Sequence, residues 1–196
     1  MNPTAIAAKA PGPVFVKSLS QDTRHNLPPS SAQKRSESGF LRRFESVYLR
    51  VEREAAIASR EFGVEGFGRA DLVWLAWENG QMPDDFTGLA LKRRVRLTAI
   101  EGKVSDWRKG LHQAFRYRYF AHRSLLVLPT QTAKTAAQFL PTFRRLRVGL
   151  WGFDATSGRI RKWCTPRSRT PLNRHAWEKA LRFFLDLDFS KLPKRG

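Results

Sequence analysis

Near the middle of the chain the sequence reads Leu97-Thr98-Ala99-Ile100-Glu101-Gly102-Lys103. Side chains alternate between the two faces of a β-strand, so a strand here sets Glu101 and Lys103 side by side on one face. Burying a carboxylate among apolar residues is unfavourable unless a partner compensates its charge. The segment therefore predicts a buried strand, Arg94 to Val104, that carries a charged pair with a role beyond packing.

Asp71 lies in a similar setting one strand earlier, inside the apolar run Ala70 to Trp77. If this strand neighbours the one that carries Glu101, the two carboxylates can share a divalent cation, and Lys103 can orient a water beside them. Gly102 leaves room for close approach of the backbone. The alternative is a plain ion pair between Glu101 and Lys103, with Asp71 capping a turn.

The flanking segments predict an α/β arrangement. Helical spacing of apolar residues begins near Gly39, with Ser38 as a candidate cap, and Ser105 or Asp106 can cap a helix that starts at Trp107. The predicted elements up to Pro129 are a helix from 39 to about 55, strands at 62–67, 70–77 and 94–104, a helix at 107–123 and a strand at 124–128, with a loop at 78–88. After them we expect a helix at 133–146, a strand pair at 148–163 turned at 154–158, and a last helix at 174–185.

Composition favours one domain with a polyanionic partner. The chain has 196 residues, 41% of them hydrophobic, which is enough for one core but short for two. Its 36 Lys and Arg exceed its 17 Asp and Glu, so the formal net charge is +19, and nucleic acid is the usual partner of such an excess. We expect a disordered basic tail at 1–38, a single domain at 39–190 and a frayed basic end at 191–196.

The single cysteine, Cys164, excludes an internal disulfide and a cysteine-built zinc site, and it fits a reducing compartment. The sequence has no apolar run long enough for a membrane span and no signal-peptide pattern. It also lacks a Walker-type phosphate loop, so an ATP-driven motor would be a separate partner. We expect a cytoplasmic protein, associated with the nucleoid if the source is bacterial.

The two acidic segments together resemble a known signature. Gly68-Arg69-Ala70-Asp71-Leu72-Val73, about thirty residues and then Ile100-Glu101-Gly102-Lys103 are similar to the Asp and Glu-x-Lys signature of PD-(D/E)XK nucleases. That family has a core of helix, three strands, helix and strand, which is the order predicted here over residues 40–129. The resemblance implies a restriction-endonuclease-like core, with a mixed central sheet flanked by helices and extended by the C-terminal strand pair and helix. It also implies that Asp71, Glu101 and Lys103 are catalytic, with Mg²⁺ or Mn²⁺ as cofactor, although Ala70 stands where the signature has proline.

A second match falls on the helix after the strand of Lys103. Gln113 and Tyr117 are four residues apart and therefore share one face of a helix. In RecB-type members of the family a Gln-x-x-x-Tyr motif lies beside the active site, and residues 113–117 are similar to it. The resemblance adds both residues to the catalytic set, whereas a core tyrosine and a solvated glutamine are the alternative.

The family also tends to place an acid on the first helix, facing the metal. Glu52 is our first choice because it flanks the apolar stripe of that helix, with Glu45 second and Glu54 third. The resemblance thus predicts Asp71, Glu101 and Glu52 as metal ligands. Surface acids that balance neighbouring arginines are an equally good interpretation of any one of the three glutamates.

Basic residues near the predicted centre are candidates for nucleic-acid binding. Arg69 stands near the mouth of its strand, and Arg108, Lys109 and Arg116 are interleaved with aromatic residues on the following helix. Residues 159–169 form a second basic stretch.

These patterns together predict a Mg²⁺- or Mn²⁺-dependent phosphodiesterase that cuts nucleic acid, DNA rather than RNA, in repair, recombination or defence. A homodimer, or a helicase or ATPase subunit, is the candidate protein partner. The alternatives are a non-catalytic nucleic-acid-binding domain on the same fold and a structural, ribosome-like RNA binder.

Overall fold

A computed structural model describes residues 14–15, 32–51, 56–77 and 95–185. These residues form an α/β fold in which helices pack on both faces of a mixed sheet. The predicted loop at 78–88, the frayed end at 191–196 and most of the predicted tail lie outside the described residues.

The described elements follow the predicted order. The strands are β1 (Val14–Phe15), β2 (Ala56–Val64), β3 (Gly68–Trp77), β4 (Val95–Gly102), β5 (Arg123–Pro129), β6 (Gly149–Phe153) and β7 (Ile160–Cys164). The helices are α1 (Ala32–Val51), α2 (Trp107–Tyr117), α3 (Thr130–Ala137), α4 (Leu140–Leu146) and α5 (Arg174–Leu185). The short β1 comes first, and the order from α1 to β5 is then helix, three strands, helix and strand. The C-terminal strand pair and helix are β6, β7 and α5.

The strands lie in the sheet in the order in which they occur in the chain. β2, β3 and β4 form an antiparallel meander, β4, β5 and β6 run parallel, and β7 is antiparallel to β6. Each parallel step uses a helical crossover, α2 before β5 and then α3 with α4 before β6. The ends of β4, β5 and β6 therefore define a C-terminal edge and, opposite it, an N-terminal edge, and β3 begins at the C-terminal edge.

Alternating side chains of the sheet supply an apolar layer on each face. On one face, Phe44 of α1 is fully buried near Trp74 of β3, a placement that stabilises the fold by about 2 kcal/mol. On the other face, Leu97 of β4 packs in one cluster with Tyr117 of α2. Glu101 follows Leu97 at an even spacing, so its side chain faces the layer that α2 covers.

The first helix begins earlier than predicted. α1 starts at Ala32, so Ser38 lies inside the helix instead of capping it, and the predicted end of the tail falls within α1. Val14–Phe15, also within the predicted tail, pairs with β2 as a parallel strand. Residues 32–38 read Ala-Gln-Lys-Arg-Ser-Glu-Ser, which contains good helix formers but no apolar periodicity. A prediction based on apolar spacing therefore started the helix too late.

The helix predicted at 133–146 is two helices, α3 and α4. Pro141 lies in the first turn of α4, where its missing N–H has no helical partner to lose, so it begins a helix there. α2 is shorter than predicted because residues 118–120 turn the chain towards β5. Similarly, β2 ends at Val64 because Gly66 and Gly68, at positive φ, form the turn into β3. No described helix combines the length and the apolar character needed to cross a bilayer.

Candidate active site

Asp71 and Glu101 lie opposite each other on neighbouring antiparallel strands. β3 pairs with β4 so that Leu72 is opposite Ile100, and one further step of this register sets Asp71 across from Glu101. Such cross-strand neighbours have Cβ atoms about 5 Å apart. The backbone N–H of Gly102 donates to Asp71 Oδ2 at 2.8 Å, which holds the aspartate at the end of β4. The predicted pair of carboxylates is therefore brought together at the C-terminal edge.

Glu101 is 1% exposed, and its two carboxylate oxygens have different partners. Oε1 is 3.2 Å from Lys103 Nζ, and Oε2 is 2.5 Å from the hydroxyl of Tyr117. The same hydroxyl is 2.6 Å from the carbonyl oxygen of Arg69. A phenol has one proton to donate, so the Tyr117 hydroxyl shares it between these two acceptors. Tyr117 therefore fixes the position of the Glu101 carboxylate against the beginning of β3.

The two acids are held in conditions that disfavour their charged forms. Burial raises the pKa of Asp71 well above its usual value, and the charge of Glu101 raises it further, against the Gly102 hydrogen bond and the Lys103 charge. Burial also raises the pKa of Glu101, against the hydrogen bond from Tyr117 and the charge of Lys103. A cation between the two carboxylates would offset both causes, so the pair is suited to hold one.

Lys103 and Tyr117 keep their protons in this setting. Burial alone would lower the pKa of Lys103, but the charges of Glu101 and Asp71 raise it overall. Burial, together with the charge of Glu101, raises the pKa of Tyr117. The centre thus combines two acids that need positive charge with an ammonium group and a phenol that act as donors.

Lys103 is held from two sides, and one of them was not predicted. Its Nζ lies 3.7 Å from Glu37 Oε2 of α1, in addition to its contact with Glu101. A Cβ on Gly110 of α2 would lie 2.8 Å from Lys103 Cγ, so a larger residue there would displace the lysine. Glu37 lies two helical turns before the buried Phe44, so both residues are on the same side of α1. A prediction that began the helix at residue 32 would have placed Glu37 on the side that faces the sheet.

Of the predicted first-helix acids, Glu45 is the one that the structure describes, and its partner lies away from the centre. Glu52, the predicted metal ligand, and Glu54 lie outside the described residues. Glu45 is buried, but its Oε2 is 2.6 Å from Nε of Arg60, so its partner is an arginine of β2. Of the described acids of α1, Glu37 is the one that contacts Lys103.

Gln113 and Tyr117 share one side of α2, as the four-residue spacing predicted. Gln113 lies between Gly110, which packs against Lys103, and Tyr117, which contacts Glu101. Its Oε1 is buried and has no hydrogen-bond partner among the described residues. Leaving a buried carbonyl oxygen unsatisfied costs about 1–3 kcal/mol, so this atom is available to a cation, a water or a substrate.

Oxygen atoms are the donors that this centre offers to a metal. No three His, Cys, Asp or Glu side chains of the described ranges converge on a common point. Mg²⁺ sites, however, often use one or two carboxylates and complete the coordination with water and substrate phosphate. Asp71 and Glu101 are such a pair, and the unpaired oxygen of Gln113 is a further hard donor nearby. The residues present therefore fit Mg²⁺ or Mn²⁺.

Two of the predicted phosphate-binding residues, Arg69 of β3 and Arg116 of α2, have side chains near the turn between β2 and β3. Arg69 Nε is 3.0 Å from Glu61 Oε2, and both side chains are about half exposed. Arg116 donates from Nη2 to the carbonyl oxygen of Gly66 at 3.3 Å. Both guanidinium groups are exposed next to the strand that carries Asp71, but each already has a partner.

The other two predicted residues lie in the first turn of α2. Lys109 is exposed and is separated from Gln113 by one helical turn, so it lies on the side of α2 near the acids. Arg108 points elsewhere, since its guanidinium lies over the ring of Trp107 at 4.6 Å from the centroid. Of the two, Lys109 is better placed to meet a phosphate at the centre.

Comparison with protein-family models, with curated proteins and with solved structures finds no match for this chain. What defines it is its own geometry: an α/β protein with two facing carboxylates, a lysine and a tyrosine at the C-terminal edge of a mixed sheet.

Proposed function

We propose that this protein is a metal-dependent nuclease with a restriction-endonuclease-like core of the PD-(D/E)XK kind. The observation that carries the proposal is the meeting of Asp71, Glu101 and Lys103 at one edge of the sheet, with Lys103 Nζ 3.2 Å from Glu101. The order of helix, three strands, helix and strand around that centre supports it. So does Tyr117, which contacts Glu101 from the helix that follows.

Each residue of the centre has a separate role in the proposed hydrolysis of a phosphodiester. When bound, Mg²⁺ or Mn²⁺ supplies positive charge for the phosphate oxygens and lowers the pKa of its water. Asp71 and Glu101 hold that ion, and Tyr117 fixes the orientation of Glu101. Lys103, which stays protonated, orients the attacking water and stabilises negative charge on the phosphorus oxygens.

A nucleic-acid substrate accounts for the charge of the chain. The formal net charge of +19 attracts a polyanion, and Lys109 and Arg116 are exposed on the helix that covers the acids. We take DNA as the substrate, in repair, recombination or defence. Phosphate contacts of this kind position the backbone without reading its sequence.

The experiment is a cleavage assay with its own binding control. Purified protein is incubated with duplex DNA, single-stranded DNA and RNA in EDTA, Mg²⁺ or Mn²⁺. We expect cleavage of DNA with a divalent ion and none in EDTA. Lys103→Met should reduce the rate by about 10³-fold, because it removes a positive charge from the developing transition state. Lys134→Met, at an exposed lysine of α3, is the matched control and should cut at the wild-type rate.

The alternative is a non-catalytic nucleic-acid-binding domain on the same fold. It is favoured by the absence, among the described residues, of a ready cluster of three metal-binding side chains. The same assay separates the two functions. A wild-type protein that binds DNA in EDTA but cuts nothing with any divalent ion would refute the nuclease proposal and establish the alternative.

A further inference from the structure

A second concentration of positive charge lies at the N-terminal edge of the sheet, opposite the acids. Its members are arginines from three separate segments: Arg118 after α2, Arg144 and Arg147 at the end of α4, and Arg167 and Arg169 after β7. We call this set the arginine surface. Apart from the half-buried Arg118, these side chains are exposed.

Direct contacts bring these segments together. They are Arg118 Nη1 to the carbonyl oxygen of Leu146 at 3.0 Å, the Arg169 N–H to the carbonyl oxygen of His122 at 3.0 Å, and Pro166 Cδ 3.0 Å from where a Cβ on Gly149 would lie. The arginine surface is thus a built feature of the fold, although its residues are spread along the sequence.

Acids do not compensate this surface in the part of the chain that the structure describes. From residue 107 to 185 the sequence has two acids, Asp154 and Glu178. Asp154 accepts its hydrogen bonds within the turn after β6, at the C-terminal edge, and Glu178 pairs with Arg174. Among the described residues, therefore, no acid forms an ion pair with an arginine of this surface.

Two members of the surface hold unfavourable positions. Arg147 has φ 53°, in the left-handed region, at the C-terminal cap of α4, where glycine is the usual residue. Burial lowers the pKa of Arg118, and the charge of Arg147 lowers it further. An arginine at a position that favours glycine, and beside another arginine, supports a role for the charge itself.

We propose that the arginine surface binds the phosphate backbone of a second nucleic-acid segment, distinct from the segment at the acids. Guanidinium groups are suited to phosphate because their donors match two of its oxygens at once. The two surfaces are separated along β4. The arginine surface meets the beginning of β4, because Arg169 donates to the carbonyl oxygen of His122 and His122 accepts from the N–H of Leu97. Glu101 lies four residues of strand further along, about 13 Å away. They lie at opposite edges of the sheet, so each can contact a different nucleic-acid segment. The inference extends the proposed function but does not require cleavage.

The experiment is a bridging assay in EDTA. One duplex DNA is immobilised on beads, protein is added, and capture of a second, fluorescent duplex is measured. Wild-type protein should capture it, and Arg144→Ser, Arg147→Gly, Arg167→Ser combined should reduce capture roughly ten-fold or more while still binding the immobilised DNA. In this variant, the slope of log binding constant for the second duplex against log salt concentration should decrease in magnitude by about two to three. An RNA duplex in place of the second DNA tests whether the surface distinguishes the two backbones.

The control removes the same number of charges elsewhere. Lys134→Ser, Arg161→Ser, Arg182→Ser combined takes three exposed cations from α3, β7 and α5, and it should leave bridging within two-fold. Arg147→Gly alone should keep the melting temperature or raise it, because glycine relieves the left-handed backbone, and should still weaken bridging. The inference is overturned if wild-type protein does not bridge, if the arginine variant bridges normally, or if the control loses as much. Bridging is measured in EDTA and cleavage with Mg²⁺, so a failure to cut and a failure to bridge are separate results.

Discussion

Asp154 and Asp71 both lie at the C-terminal edge of the sheet, and they differ in how many hydrogen-bond donors each receives. Asp154, in the turn after β6, accepts the Ser157 hydroxyl at 2.7 Å and the backbone N–H groups of Thr156 at 2.9 Å and Ser157 at 3.3 Å. The Ser157 hydroxyl is the main cause of its lowered pKa. Asp71, at the beginning of β3, accepts the backbone N–H of Gly102, is partly buried and faces Glu101, and its pKa is raised.

The difference supports the proposal that Asp71 binds a ligand, whereas Asp154 stabilises its own turn. Asp154 is supplied with donors by its own turn and needs no further partner. Asp71 and Glu101 together lack the positive charge that would balance them, since Lys103 supplies one charge and also contacts Glu37. Under the proposed function, a carboxylate that receives few hydrogen-bond donors is the better candidate for a cation ligand.

The largest expected effect tests this contrast directly. Asp71→Asn should lower the rate of DNA cleavage by about 10³-fold, because it removes a charged ligand from the centre. Asp154→Asn should leave the rate within about two-fold, because the carboxylate of Asp154 accepts its hydrogen bonds from residues of its own turn. Rates are measured at saturating Mg²⁺, with the melting temperature of each variant as a check on folding.

A loss of cleavage in Asp154→Asn would contradict the distinction drawn between the two aspartates. If Asp154→Asn lost cleavage as strongly as Asp71→Asn with an unchanged melting temperature, the count of donors would not separate structural from functional acids. The acids of the centre would then have to be identified by another criterion.

The part of the site that the sequence predicted depends on local geometry. Alternation along β4 placed Glu101 and Lys103 together, and helical spacing placed Gln113 and Tyr117 on one side of α2. Both rules act within a few residues, so they hold wherever the element itself is correctly predicted. The pairing of Asp71 with Glu101 went beyond them and depended on β3 and β4 being neighbours, as they are.

The parts that the sequence did not predict depend on element limits and on contacts between distant segments. Glu37 was missed because residues 32–38 have no apolar period, so the first helix was started too late. The arginine surface brings residue 118 together with residues 144–147 and 167–169. The spacing of these residues along the sequence does not predict that they are close in the fold. Packing of α4 and of the segment after β7 brings them together.

A smaller effect is expected at the donor that contacts Glu101. Tyr117→Phe removes the hydroxyl 2.5 Å from Glu101 Oε2, and loss of such an outer partner typically lowers metal affinity or activity 10- to 100-fold. Tyr119→Phe, two residues away, keeps its ring contacts with Phe67 and Phe115 and should be neutral. Mg²⁺ titrations of the cleavage rate measure both. Equal Mg²⁺ dependence in the two variants would contradict a positioning role for Tyr117.

The acids of α1 allow a finer comparison. Glu37→Gln should lower the cleavage rate by about 3- to 10-fold, because Lys103 loses one of its two acidic partners. Glu45→Gln should act on stability instead, lowering the free energy of unfolding by about 1–2 kcal/mol, since Glu45 is buried against the partly exposed Arg60. Denaturant unfolding and cleavage rates separate the two. A Glu45→Gln protein that is stable but slow, beside a fully active Glu37→Gln protein, would reverse the assignment.

The smallest effect is the pH dependence of stability without divalent ions, and its sign differs between the two aspartates. The pKa values of Asp71 and Glu101 are raised on folding, so the folded state binds their protons more tightly than the unfolded state. The free energy of unfolding should therefore fall as pH rises from about 4, the unfolded value, through the raised folded values. Asp154 acts the other way, because its stabilisation is present above the unfolded pKa and is lost as pH falls through the lowered one.

Denaturant unfolding in EDTA between pH 3 and 8 checks both signs. Asp71→Asn should flatten the decline above pH 4 and leave the acid limb unchanged, whereas Asp154→Asn should flatten the acid limb alone. Mg²⁺ should stabilise the wild-type protein more at pH 8 than at pH 5, because it binds the carboxylates in the form that lacks protons. An increase of stability equal at both pH values, or one that survives in Asp71→Asn, would mean that the ion binds elsewhere. The facing acids would then owe their raised pKa values to burial without any cation to relieve it.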